Sequence, residues 1–212
     1  MGHTGSVNAL LTDSAFLFSG SADTTVRVWE KTNMACLQVF SGHTGGVLGL
    51  ALASKLPLLF SAGVDGAVNV WDTSSLTFTR ERRLLRTLRA HSGPVFQVTE
   101  AGNFMVSGGQ DGNIFVWQYM DGLPRIRPFC KVDVGTGAIM GLKVVQSRFL
   151  VATGEDMFVR MWDLEPLFQV LGRTPTSETT SESLDLALPL ASPPSLSLAA
   201  GTIFRRGWPP LL

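Results

Sequence analysis

Short apolar runs separated by turn residues make up most of the chain between residues 2 and 171. The pattern is clearest in the stretch 41–72, whose apolar runs are 47–52, 58–61 and 67–71. Asp65-Gly66 separates the last two runs, and a dipeptide that tolerates positive φ favours a tight hairpin. The pattern therefore predicts three antiparallel strands, which cannot bury their apolar faces by themselves.

The same unit occurs four times, and a tryptophan ends each copy. Trp29, Trp71, Trp117 and Trp162 follow one another at intervals of 42, 46 and 45 residues. The residues one and three positions before each tryptophan are apolar, which is the alternation of a strand in register with the tryptophan. A period of this length predicts an array of small β-sheet units.

Two further residue types recur at fixed places. A histidine near the start of the first three copies follows a glycine or an alanine, and each copy has an aspartate in its hairpin: His3, His43 and His91, and Asp23, Asp65, Asp111 and Asp156. On these residues and the tryptophans, the chain resembles the WD-repeat (Trp-Asp repeat) β-propeller family over about residues 2–171. Trp29-Glu30 and Trp117-Gln118 lack the aspartate of the Trp-Asp pair, and the fourth copy has Gly135 at the histidine position.

The resemblance implies an all-β fold, a β-propeller of WD-repeat type with four antiparallel blades at about 2–40, 41–88, 89–132 and 133–171. Most members of the family have seven blades, so we expect an open or incomplete ring. Its two end faces would be large apolar surfaces, which rarely remain bare in a monomer. Either another chain completes the propeller, or this chain is a truncated isoform of a seven-bladed protein.

The resemblance also implies a structural hydrogen-bond network of His, Ser, Asp and Trp inside each blade. Its members are His3, Ser19, Asp23 and Trp29; His43, Ser61, Asp65 and Trp71; His91, Ser107, Asp111 and Trp117; and, in the fourth blade, Asp156 and Trp162. Because the fourth copy lacks the histidine and has Ala152 at the serine position, we expect an incomplete network there. Ser, His and Asp also form hydrolytic triads, but three copies at repeat spacing favour a structural role over one activated site.

The end of the chain loses the repeat pattern. Residues 167–171 are apolar and predict one more outer strand, whereas 174–183 are a Ser/Thr/Glu tract. Pro193-Pro194 and Pro209-Pro210 break regular structure locally. We therefore expect 173–212 to be a disordered or irregular tail. The alternative is a tail unrelated to the repeats, from alternative splicing or a gene-model error.

Composition narrows the classes of function. The 17 basic and 17 acidic residues balance, so no nucleic-acid partner is expected. No apolar run approaches the roughly 20 residues of a membrane-spanning helix. Cys36 and Cys130 lie in separate apolar runs, which predicts reduced thiols and a cytoplasmic or nuclear location. No metal site and no cofactor are expected, because the three histidines all take the network position.

The family implies a non-catalytic scaffold or adaptor that binds other proteins or peptides, and no enzyme activity. Two narrower alternatives stay open: a ubiquitin-ligase substrate receptor, and a propeller that binds phosphate or phosphoinositide. The second depends on the arginines of the stretch 80–89, which could equally be the solvated edge of an outer strand.

The family commonly binds partners on the face where the first strands begin and the hairpins turn. By alignment this face carries Asn8, Leu48, Phe96 and Met140, with Gln110 and Glu155 beside the hairpin aspartates. Small and apolar residues dominate this face, which suits a protein or peptide partner. Phe96 is the strongest candidate anchor, because aromatic side chains dominate interface energetics. Alternatively, Phe96 and Leu48 fill the central channel.

Overall fold

A computed structural model describes residues 2–74, 76, 83–119, 126–134, 137–165 and 201–205. Within these ranges the chain forms sixteen β-strands, arranged as four antiparallel sheets of four strands each. We call each sheet a blade. The predicted strand at 167–171 and most of the predicted tail lie outside the described residues. No helix among the described residues is long and apolar enough to cross a membrane.

The strands of each blade pair in chain order, so that the first and fourth strands are its two edges. Blade 1 contains β1 (Val7–Thr12), β2 (Phe16–Ser21), β3 (Thr25–Glu30) and β4 (Cys36–Ser41). Blade 2 contains β5 (Val47–Leu52), β6 (Leu58–Gly63), β7 (Ala67–Asp72) and β8 (Leu84–Arg89). Blade 3 contains β9 (Val95–Ala101), β10 (Phe104–Gly109), β11 (Asn113–Tyr119) and β12 (Ile126–Asp133). Blade 4 contains β13 (Ile139–Val145), β14 (Phe149–Gly154), β15 (Phe158–Asp163) and β16 (Gly201–Arg205).

The hairpin between the second and third strands has the same backbone in all four blades. The residue after the hairpin aspartate has a positive φ in each blade, and it is Thr24, Gly66, Gly112 or Met157. In blade 2, Gly66 N–H donates to Gly63 O over 3.2 Å, and Asp65 Oδ1 accepts from Ala67 N–H over 3.2 Å. The aspartate therefore holds the turn through its side chain while the next residue takes the left-handed conformation.

The four blades form an open arc. Their first strands contact each other in chain order, β1 with β5, β5 with β9 and β9 with β13. No comparably extensive contact joins β13 to β1 among the described residues. The two interior blades are covered on both faces, since β6 and β10 are buried along their whole length. β2 and β14, in the terminal blades, are only partly buried.

The fourth strand of blade 4 differs from the prediction. β16 pairs with β15, with Val159 opposite Phe204 and Phe158 opposite Arg205, whereas the sequence predicts a disordered or irregular tail there. The segment GTIFR is short and has no repeat signature beside it, so its local pattern could not identify it as a strand. The free edge of β15 decides the pairing, because an unpaired edge offers a row of hydrogen-bonding groups to any nearby strand.

Candidate functional site

The first three blades each contain a buried chain of four hydrogen-bonded side chains. In blade 2, Trp71 Nε1 lies 2.8 Å from Ser61 Oγ, and Ser61 Oγ lies 2.7 Å from His43 Nε2. His43 Nδ1 lies 3.0 Å from Asp65 Oδ1. The same three contacts measure 2.7, 2.7 and 2.8 Å in blade 1 and 3.0, 2.9 and 2.9 Å in blade 3.

When the histidine is neutral, every N–H and O–H donor of this hydrogen-bond network has an acceptor. The tryptophan N–H donates to the serine oxygen, the serine O–H donates to Nε2, and Nδ1–H donates to the aspartate. A protonated histidine would carry a hydrogen on Nε2 as well, and the serine O–H would lose its acceptor. In blade 3, where burial lowers the pKa of His91, the network therefore favours the neutral imidazole with its proton on Nδ1.

The networks have the atoms of a hydrolytic triad but no access to a substrate. Ser61 and Ser107 are fully buried and Ser19 is 3% exposed, so no scissile bond can reach their hydroxyl oxygens. Each serine oxygen also accepts the tryptophan N–H, so one lone pair of the atom that would act as nucleophile is already engaged. The geometry ties the strands of one blade together and supports no hydrolytic chemistry.

Burial and hydrogen bonding act in opposite directions on the aspartates. Burial alone would raise the pKa of Asp65, but the Thr44 N–H, the nearby His43 and the Ala67 N–H outweigh it and hold that pKa below its ordinary value. The pKa of Asp111 is lowered in the same way, against burial, by His91 and Asn113. Burial lowers the pKa of His91, although Asp111 opposes the shift. An ionised aspartate beside a neutral histidine is thus the stable state of blade 3.

The fourth blade replaces the histidine contact with an arginine contact. Ala152 lies opposite Arg160 in the register where Ser61 lies opposite Asn69, so the Trp162 indole has no serine acceptor. Asp156 Oδ1 still accepts from Phe158 N–H over 3.1 Å and holds the hairpin. Its Oδ2 contacts Arg160 Nη1, and the two side chains are only 10% and 19% exposed.

The sequence-predicted binding residues lie at one end of the blades. In each blade a backbone hydrogen bond joins the residue before the hairpin aspartate to the residue before the first strand. The pairs are Ala22 with Ser6, Val64 with Gly46, Gln110 with Pro94, and Glu155 with Ala138, at 2.8, 2.9, 2.8 and 3.1 Å. We call the end formed by these residues and the first two residues of each first strand the hairpin rim.

A β-bulge at the rim interrupts the first strand of every blade. The pairing register shifts between Val7 and Ala9, between Val47 and Gly49, and between Ile139 and Gly141. In blade 3, Gly109 pairs with Val95 and Gly108 with Gln97. The residues that the register skips are Asn8, Leu48, Phe96 and Met140. A bulge leaves one residue unpaired and redirects its side chain.

The rim residues differ in exposure and in bonding. Met140 is 51% exposed, whereas Leu48 and Phe96 are half-buried. Gln110 and Glu155 are exposed, and Glu155 Oε2 accepts from Ala138 N–H over 3.3 Å. Asn8 is exposed as well, but its Nδ2 donates to Val47 O over 3.0 Å and so joins blade 1 to blade 2. Of the six sequence-predicted binding residues, Asn8 is thus the one whose side chain is shown to bond to the next blade.

The basic stretch 80–89 lies partly outside the described residues, which begin again at Arg83. Arg83 is 4% exposed, so its guanidinium faces the protein interior. Arg89 Nη1 donates to Asp65 O over 3.0 Å, and Arg86 is exposed on β8. The described arginines thus point to different surroundings and do not converge on one phosphate-sized site. No group of three or more His, Cys, Asp or Glu side chains suited to a metal occurs in the described parts of the chain.

The repeated network, hairpin and tryptophan agree with comparisons to known proteins. The family model described as "WD domain, G-beta repeat" matches residues 1–30, 34–72 and 82–118. The chain belongs to the WD-repeat family. The match ends before blade 4, the blade in which the WD-repeat histidine and serine are missing.

Curated relatives are much longer than this WD-repeat chain. An F-box/WD-40 repeat-containing protein of Arabidopsis thaliana is 34% identical over 119 residues, which are 55% of this chain and 20% of that protein. Cell division control protein 4 of Saccharomyces cerevisiae is 27% identical over 171 residues, which are 74% of this chain and 21% of that protein. The chain thus spans about a fifth of the length of these two relatives.

Solved structures agree on the fold. The computationally designed Ika8 protein matches with a TM-score of 0.65 and 26% identity, over 77% of this chain and 47% of that chain. The structure of U3-55K matches with a TM-score of 0.65 and 25% identity, over 78% of this chain and 48% of that chain. The four WD-repeat blades therefore correspond to just under half of each solved chain.

Sequence reasoning missed two features of the site, and only the second of them had a readable signal. Arg160 is the partner of Asp156, and an arginine four residues after an aspartate on a predicted strand is not expected to turn back to it. The bulges could have been suspected from glycines that follow two of them, Gly49 and Gly141, because glycine inside a strand often marks a bulge.

Proposed function

We propose that the chain is a non-catalytic interaction scaffold that binds other proteins or peptides at the hairpin rim. The observation that carries the proposal is the repeated bulge, which places Asn8, Leu48, Phe96 and Met140 at the same step of four neighbouring first strands. Bulges of this kind redirect side chains at functional sites. Four of them at one end of the arc form a continuous row.

The chemistry of the rim suits a protein partner. Leu48, Phe96 and Met140 supply apolar contact area on neighbouring first strands, and Gln110 and Glu155 supply exposed polar groups at the same end. An apolar centre with polar neighbours is the usual composition of a protein–protein interface. A balanced charge of 17 basic and 17 acidic residues offers none of the excess positive charge that phosphate backbones attract.

The rim is rigid, which lowers the entropic cost of binding. Each rim segment is held by a first strand on one side and by a hairpin on the other, as the bond from Gln110 N to Pro94 O shows in blade 3. The buried network below it, from His91 to Asp111, fixes the hairpin in turn. A preorganised surface loses little conformational freedom when a partner docks.

Paired substitutions test this surface. Phe96→Ala with Leu48→Asp removes the apolar centre, whereas Leu85→Asp alters a residue that is 39% exposed on β8, the outer edge of blade 2. Partners captured by the parent chain should be lost from the double variant and retained by Leu85→Asp, with folding checked by circular dichroism. If the folded double variant captures every partner of the parent chain, the rim is not the binding site.

Site-specific crosslinking is a second, direct test of partner binding at the hairpin rim. A photo-crosslinking amino acid at Met140 should attach to a bound partner, because that side chain is 51% exposed on the rim. The same amino acid at Leu85 should not attach to it. Equal crosslinking at both positions would show that contact with the rim is not specific.

The narrower alternatives have less support. A phosphate or phosphoinositide site at the basic stretch would need converging arginines, but Arg83 is buried and Arg89 bonds to Asp65 O. The role of a ubiquitin-ligase substrate receptor stays a prediction, as does a cytoplasmic or nuclear location. The chain matches only about a fifth of the length of two of its relatives. The activities of those longer proteins are therefore not assigned to it.

A further inference from the structure

Each blade has two different faces, and the arc stacks them in one order. The tryptophan face carries the tryptophan and the network serine, and the opposite face carries apolar residues such as Phe60 and Val70. In all three interfaces the tryptophan face of a blade packs against the opposite face of the blade before it. The apolar pairs are Leu59 and Trp71 against Phe18 and Val28, Met105 and Trp117 against Phe60 and Val70, and Leu150 and Trp162 against Val106 and Val116.

Among the described residues, the tryptophan face of blade 1 is left uncovered. Trp29 is half-buried, whereas Trp71, Trp117 and Trp162 are 1%, 3% and 4% exposed.

Leu10 lies opposite Ser19 on the tryptophan face of blade 1 and is 68% exposed. The residues at the same register in blades 3 and 4, opposite Ser107 and Ala152, are Val98 and Leu142, which are 3% and 8% exposed. Val39, in the same cross-strand row as Leu10, is 47% exposed.

The described residues also leave the opposite face of blade 4 uncovered. Val151 lies opposite Met161, and both are half-buried. The residues at the same register in blade 1 are Phe18 and Val28, which are fully buried against blade 2. Val145, at the end of β13 on this face, is 43% exposed. Apolar side chains on such a face gain free energy when another surface covers them.

We propose that these two faces dock onto each other between two copies of the chain. The opposite face of blade 4 in the first copy packs against the tryptophan face of blade 1 in the second copy. Blade 4 of the second copy packs in the same way against blade 1 of the first copy, which gives a ring of eight blades. Each contact is of the kind already formed three times within the chain, a tryptophan face on an opposite face. A head-to-tail contact that closes on itself is a heterologous ring interface.

The size of the arc supports closure by a second copy. The chain corresponds to 47% of one solved structure of this architecture and 48% of another. Two arcs of this size therefore match the extent of one such chain. A head-to-tail contact that failed to close would add copies without limit, so closure at two copies is a specific expectation.

The first measurement is the solution mass of the whole chain by light scattering after size-exclusion chromatography. A single chain has a mass of 22.9 kDa, and the expected result is twice that mass, with dissociation on dilution. A single-chain mass at every concentration overturns the proposal, because the open faces would then be covered within one chain or by a different partner. A mass that continues to rise with concentration overturns the closed ring.

Substitutions on each face decide how the copies pair. Leu10→Asp on blade 1 and Met161→Lys on blade 4 should each give a single-chain mass, since each variant loses both interfaces of the ring. Mixing the two variants should restore a two-chain species, because one interface then joins two unaltered faces. Persistence of the two-chain mass in either variant alone, or no recovery in the mixture, overturns head-to-tail pairing.

Two further variants protect the test against misfolding. Val39→Lys alters an exposed residue in the same row as Leu10 and should reproduce its single-chain mass. Val64→Asp alters a rim residue that is 47% exposed and lies on neither face, and it should retain the two-chain mass. A loss of the two-chain mass in Val64→Asp would count against docking through the end faces.

Discussion

Arg160 contacts Asp156 in blade 4, at the hairpin where a histidine contacts the aspartate in each of the first three blades. Both side chains are largely buried, at 19% and 10% exposed. The carboxylate therefore keeps a side-chain donor although the histidine is missing.

A double-mutant cycle on Arg160→Ala and Asp156→Ala should show a coupling of about 1.5–3 kcal/mol, the range for hydrogen bonds to charged groups. The measurement is the free energy of unfolding in urea for the four chains of the cycle. The matched control is the Arg148–Asp163 pair, whose side chains are 49% and 37% exposed, and its coupling should be smaller. A coupling at Arg160 no larger than that of the control would show that Arg160 does not replace the histidine.

Asp65→Ala should lower the free energy of unfolding by about 1–3 kcal/mol, because the buried His43 Nδ1–H and the Thr44 and Ala67 N–H groups lose their acceptor. Urea unfolding measures the change. Glu165→Ala is the control, since that residue is exposed and its backbone N–H, which the substitution keeps, donates to Asp163. Equal losses in both variants would contradict the role assigned to the network.

Stability should fall with acidification in two steps. The pKa of His91 lies below its ordinary value of 6.5, so the unfolded chain binds a proton that the folded chain does not, and stability is lost as pH drops below 6.5. The pKa values of Asp23, Asp65 and Asp111 are below the ordinary 3.8, so a further loss follows as pH falls below 3.8.

His91→Gln isolates the first step. The variant should be less stable than the parent chain at neutral pH, but its free energy of unfolding should depend less on pH between about 7.5 and about 5.5, because one titrating group is gone. Urea unfolding across this range measures both slopes. Identical slopes in the parent chain and the variant would show that His91 does not carry the dependence.

Gly49→Ala should destabilise the chain by about 1–3 kcal/mol, the usual cost of overpacking. A Cβ at Gly49 would lie 3.0 Å from Phe96 O and 3.2 Å from Gln97 Cα, both on the backbone of β9, which cannot move aside as a side chain could. Gly2→Ala is the control, since no atom lies within 4 Å of a Cβ there. Thermal unfolding of both variants measures the difference. A neutral Gly49→Ala would mean that β5 and β9 can separate at this point.

Phe204→Pro should weaken the pairing of β16 with β15, because proline has no backbone N–H. Hydrogen exchange should become faster at the amides of β15 (Phe158–Asp163). Phe204→Ala keeps the N–H and should leave that exchange unchanged. If the proline variant also exchanges as slowly as the parent chain, Gly201–Arg205 is not the fourth strand of blade 4.

The sequence alone determined the repeat and most of the strands. Alternating apolar residues place a strand before each tryptophan, and Asp65-Gly66 marks a turn, because both signals depend only on neighbours along the chain. The family and its all-β architecture follow from the spacing of histidine, aspartate and tryptophan. The residues that form the three complete networks could also be named, because each serine lies ten residues and each aspartate six residues before its tryptophan, and each histidine follows a glycine or an alanine 26 or 28 residues before it.

Only the tertiary structure decided the rest, since each remaining feature depends on strands that are distant in sequence. The bulge at Phe96 is a property of the register between two strands, and the strand at Gly201–Arg205 exists because β15 has a free edge. Arg160 replaces the histidine because the fold brings it to Asp156. Trp29 and Trp71 occupy equivalent places in their blades, but only Trp71 is buried, because another blade packs against it.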